Sequence, residues 1–140
     1  MTFVQQFVAL TVATVKADRE VKQVEIEAIN QLAQGLNLDA SEVKGLIDAE
    51  LAKNTSVVEI AKVVSNDADK EVLFQSCVIV ALADNDLCAK EVDLLSDICS
   101  ALSLPQSLLV LSIAAVCQNN RQIKIEGNEA DFDQDELIVE

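Results

Sequence analysis

Residues 15–38, VKADREVKQVEIEAINQLAQGLNL, return in altered wording at 81–104 as ALADNDLCAKEVDLLSDICSALSL. Sliding the chain along itself by 66 positions pairs Ala17 with Ala83, Asp18 with Asp84, Glu20 with Asp86, Val21 with Leu87 and Glu25 with Glu91, without a gap. The apolar rhythm carries on, with Ile29 opposite Leu95, Leu32 opposite Ile98, Leu36 opposite Leu102 and Leu38 opposite Leu104. Similarity at one fixed offset marks a doubled structural unit.

Within the first copy Ile26, Ile29, Leu32, Ala33 and Leu36 fall at the three-to-four spacing of a one-faced helix, and Val92, Leu95, Ile98, Cys99 and Leu102 repeat it. The segments before them, Phe3 to Val15 and Val72 to Leu82, are apolar nearly all round, which predicts two helices enclosed at the centre of a bundle. After Leu38, Asp39 and Glu42 have the spacing of a cap and its acidic partner, so a third helix starts there; its counterpart begins around Pro105, which a first turn tolerates. Ser56 and Glu59 open a short connecting helix. The expected fold is all-α, about seven helices in one compact bundle with an internal pseudo-twofold relation. Residues 1–121 form the domain, with repeat one at about 3–53, the connecting helix at about 56–65 and repeat two at about 69–119. Residues 122–140 follow as a tail; seven acidic and no basic residues from Glu126 to Glu140 predict disorder there, with pairing of Ile123 to Ile125 as a short strand the alternative.

Composition agrees. A chain of 140 residues buries roughly 70% of its unfolded surface in one domain. Three Gly, one Pro and no Trp or Tyr leave few turn formers for a protein of many short strands. The net charge of −14 repels nucleic acid and anionic lipid, and no basic patch offsets it. Cys77, Cys88, Cys99 and Cys117 lack CxxC spacing, and the absence of His excludes mixed Cys/His zinc sites and imidazole-based catalysis. The apolar opening has no basic leader and contains two glutamines, and no segment reaches the ~18 apolar residues of a membrane span. A cytoplasmic protein without stable membrane insertion is expected.

The phrase Ala-Asp, two residues, an apolar residue, three residues, Glu, followed by a helix ending Leu-x-Leu, resembles the TerB-like family, named for a tellurite-resistance protein. Ala17, Asp18, Glu20, Val21 and Glu25 carry the likeness in one copy, and Ala83, Asp84, Asp86, Leu87 and Glu91 in the other. It covers about residues 3 to 118. The family's glycine after the Asp is Arg19 in one loop and Asn85 in the other, and Asn accepts a left-handed turn more readily than Arg. The position three before each Glu, often a capping Ser or Asp, is Lys22 or Cys88, so both helix starts lack a usual cap. The resemblance implies a non-enzymatic protein with stress-associated roles, tellurite resistance among them, in divalent-cation binding or in assembling protein complexes.

The metal-ligating candidates are Asp84, Asp86 and Glu91 in the second loop and Asp18, Glu20 and Glu25 in the first, with calcium, magnesium or zinc as candidate ions. Asp18 with Glu25 and Asp84 with Glu91 reproduce the spacing of the fifth and twelfth positions of an EF-hand, but Thr14, Lys16, Val80 and Leu82 stand where its first and third ligands belong. A structural reading competes: Glu25 and Glu91 sit in helical first turns, where a carboxylate is stabilised without any ligand, and Asp18 and Asp84 can accept N–H groups of the turns they begin. The second loop is the better candidate, since Arg19 brings a positive charge into the first and no cation nearer along the chain than Lys90 offsets the second.

A protein partner is expected, a second copy of the chain among the candidates. A carrier of a small apolar ligand within the bundle is the alternative. An enzyme is disfavoured, because paired carboxylates such as Asp84 and Asp86 have no His, phosphate loop or aromatic wall to orient a substrate.

Overall fold

The computed structural model describes residues 1–17, 21–119 and 124–125. Seven helices are present among them: α1 (Phe3–Lys16), α2 (Gln23–Gly35), α3 (Ala40–Leu51), α4 (Val57–Lys62), α5 (Asp67–Ala81), α6 (Ala89–Ala101) and α7 (Gln106–Asn119). The 66-residue offset maps the bounds of α2 onto those of α6, and the start of α3 onto the start of α7.

The centre is the pair α1 and α5, which make the most extensive helix contact in the protein. Phe7, Val8, Leu10 and Val15 of α1 and Leu73, Phe74, Cys77 and Val78 of α5 are fully enclosed. Burying so apolar a pair is the main source of stability, at roughly 1.5–3 kcal/mol per large side chain. The few hydroxyls inside are satisfied locally: Thr11 donates to the Phe7 carbonyl at 2.7 Å, Thr14 to Leu10 at 2.9 Å and Ser76 to Val72 at 2.7 Å. All four cysteines are free thiols.

Helix ends follow the residues at them. Thr2, Asp39, Ser56 and Asn66 each accept an N–H from the first turn of α1, α3, α4 and α5. With Asn66 as its cap, α5 starts a turn and more before Val72, the first residue of its apolar run. The Leu-x-Leu phrase is a helix stop. Asn37 and Ser103 take left-handed φ of 61° and 62°, and the N–H groups of Leu38 and Leu104 then reach the carbonyls of Ala33 and Cys99 at 2.9 Å.

A two-residue parallel pairing joins β1 (Asp86–Leu87) to β2 (Lys124–Ile125). The strand alternative therefore describes Lys124 and Ile125; the other residues of the expected tail lie outside the described ones. No helix of the described residues is long and apolar enough to cross a membrane.

Candidate functional site

The two acidic corners lie between α1 and α2 and between α5 and α6. In the second, Asn85 adopts a left-handed φ of 66°, and the Asp86 N–H donates to Asp84 Oδ1 at 3.0 Å, closing an Asx turn. Asn holds this conformation because its short polar side chain tolerates it. The other oxygen of Asp84 is also engaged: Lys22 Nζ, on the first corner, donates to Asp84 Oδ2 at 2.5 Å. The side chain of Asp84 is 7% exposed and that of Lys22 31%. This corrects the expectation that no cation nearer than Lys90 offsets the second loop. The offsetting charge comes through space from the first corner.

Glu25 and Glu91 are buried, at 0% and 1% exposure. Each reaches back from the third position of its helix: Lys22 N–H donates to Glu25 Oε1 at 3.3 Å, and Cys88 N–H to Glu91 Oε1 at 3.1 Å. This is the reciprocal half of a capping box, made where Lys22 and Cys88 provide no cap hydrogen bond of their own. Sequence reasoning placed both carboxylates in a first turn but missed the bond; an uncapped start followed three residues on by Glu was the available signal. Asp86 is exposed, while Asp18 and Glu20 lie outside the described residues. Among the described residues, no group of three or more Cys, Asp or Glu side chains is gathered closely enough to hold a metal ion.

A family model described as tellurite resistance protein TerB matches residues 5–111. The chain belongs to the TerB family. No curated protein and no solved structure matches it. TerB domains are generally non-catalytic, and two features stand out on the surface of this TerB chain.

One surface is a cleft of about 640 Å³ where the end of α1 meets the α3–α4 connection and α6. Three of its six charged groups, Lys16, Glu50 and Lys53, are committed to the fold. Lys16 Nζ donates to the Lys53 carbonyl and to the Glu50 carbonyl at 3.3 Å, capping the end of α3. Glu50 accepts the Thr55 hydroxyl at 2.7 Å and lies 3.7 Å from Lys53 Nζ.

The other surface is the outer face of α7. Val110 and Leu111 are 66% and 64% exposed, and Ala114 and Ala115 beside them are also exposed. The equivalent positions of α3, at the 66-residue offset, are Lys44, Gly45, Asp48 and Ala49, all exposed as well. The two helices have the same register and different outward chemistry: α3 shows water a lysine and an aspartate, and α7 shows it valine, leucine and alanine. Residues 98–120 contain no charged side chain. Sequence reasoning missed this face because α7 is apolar around most of its circumference, so periodicity does not reveal which side is outside.

Proposed function

We propose that the protein is a non-enzymatic interaction module of a cytoplasmic stress response, tellurite resistance included, and that it meets its protein partner through the outer face of α7. The observation that carries this reading is the contrast between the outward residues of α7 and those of α3. A contiguous apolar patch on a soluble domain is the usual mark of a contact surface, whereas a charged outer face needs no partner.

Divalent-cation binding enters the proposal as a weak association at the second corner, because an ion approaching Asp84 must displace the Lys22 ammonium. The carrier reading draws no support from the cleft, whose charged walls suit an apolar ligand poorly.

Survival on tellurite tests the proposal, in cells lacking the protein and complemented with wild type, Leu111→Asp or Lys44→Ala, each variant checked for an unchanged melt. Leu111→Asp is expected to lose protection and Lys44→Ala to keep it. Full protection by Leu111→Asp refutes the role of the face.

A further inference from the structure

The reading of α7 as the contact face leaves its occupant open, and two properties of that face select one. The first is charge. At physiological salt the repulsion between two acidic chains is screened beyond about 8 Å, so copies of a protein carrying −14 meet at least cost through a surface that brings no carboxylates within that distance. The outward face of α7 is such a surface, and the matching face of α3 carries Asp48. A basic partner has the opposite requirement and finds nothing on α7 to pair with.

The second property is the order of sizes along the face. Two bulky residues, Val110 and Leu111, are followed one turn later by two small ones, Ala114 and Ala115. About a twofold axis at the middle of the helix, an antiparallel copy sets Val110 against the partner's Ala115 and Leu111 against the partner's Ala114. Ser107 and Gln118, also exposed, face each other at the two ends. Large side chains then fill the space left by small ones, and each contact occurs twice, as an isologous interface requires.

We infer that the outer face of α7 is a homodimer interface, formed by antiparallel packing of α7 on α7 of a second copy. It rests on the proposed function and deepens it by naming the partner. One crossed helix pair lies at the small end of interface size, so the dimer forms at micromolar rather than nanomolar concentration.

Sedimentation equilibrium of the full chain up to high-micromolar concentration tests this. Wild type is expected to reach twice 15.1 kDa. Leu111→Asp and Val110→Lys, at positions mostly outside the core, are each expected to raise the dissociation constant about tenfold or more. The double variant Val110→Lys with Ala115→Glu is expected to recover the dimer, since each introduced lysine faces the introduced glutamate of the other copy. A wild type monomeric throughout, or a dimer indifferent to Leu111→Asp, overturns the inference; failure of the double variant to recover overturns the antiparallel pairing. The failures are separable. A monomeric wild type whose Leu111→Asp variant still loses tellurite protection removes the second copy as occupant and retains the face, while full protection by that variant removes the proposed function itself.

Discussion

Lys22 and Asp84 join the two acidic corners through an ion pair of 2.5 Å between residues 62 apart in the chain. Asp84 also holds the turn that follows it through the Asp86 N–H, so a single carboxylate fixes one corner and ties it to Lys22 at the start of α2.

Replacing that carboxylate should therefore have graded effects. Asp84→Asn removes the charge but keeps an acceptor for the Asp86 N–H, and Asp84→Ala removes both. We expect Asp84→Ala to cost about 1–3 kcal/mol and Asp84→Asn less, read from urea denaturation midpoints. These values fall below those of a fully buried pair because Lys22 is partly solvated. Equal losses in the two variants would mean that the turn bond contributes nothing.

The same pair predicts the response to divalent ions. Calorimetry with calcium should give weak heats for wild type and tighter binding for Lys22→Met, because the competing ammonium is gone. Adding Asp84→Asn to Lys22→Met should abolish the gain. Wild type binding as tightly as Lys22→Met would show that any ion sits elsewhere.

Much of this fold was legible in sequence because it rests on periodicity and caps. The one-faced pattern from Ile26 to Leu36 and its repeat locate α2 and α6, and Asp39 and Ser56 mark the starts of α3 and α4. The beginning of α5 was not legible from its apolar run, since its first turn, Asp67 to Lys70, is polar and held by Asn66. The Lys22–Asp84 pair was hidden for a different reason: local pattern does not encode a contact between distant loops. The burial of Glu25 and Glu91 was hidden likewise, for a carboxylate in a first turn is ordinarily solvated.

The capping role of Glu91 is measurable. Glu91→Ala should lower stability by about 1 kcal/mol or more, as loss of a cap does, and Glu91→Gln should recover part of it by restoring an acceptor to the Cys88 N–H. Amide exchange at Cys88 should accelerate in Glu91→Ala alone.

Ser103 offers a gain instead of a loss. It holds a left-handed φ of 62°, which costs an ordinary L-residue about 1–2 kcal/mol and glycine almost nothing. Ser103→Gly should raise stability by about 0.5–1 kcal/mol after glycine's larger unfolding entropy is counted. A lower melting temperature would contradict the helix-stop assignment.

Burial pushes the Cys77 thiol up from its ordinary 9.0 to about 12, and the hydrogen bond with Thr14 opposes this only in part. A pKa raised on folding means the native state holds its proton more tightly. The resulting stability is intact below pH 9 and is lost progressively as pH rises toward 12. Stability should fall over that range in wild type and less steeply in Cys77→Ala measured against its own neutral-pH value; native Cys77 should also resist thiol reagents at neutral pH.

If the protein works through α7 and not through the equivalent face of α3, the two faces differ in what they touch in the cell. Photocrosslinking from position 111 and from position 44, in cells under tellurite, distinguishes them. A discrete protein adduct from 111, including one at twice the chain's mass, and none from 44 is expected. Adducts from 44 with none from 111 would contradict it.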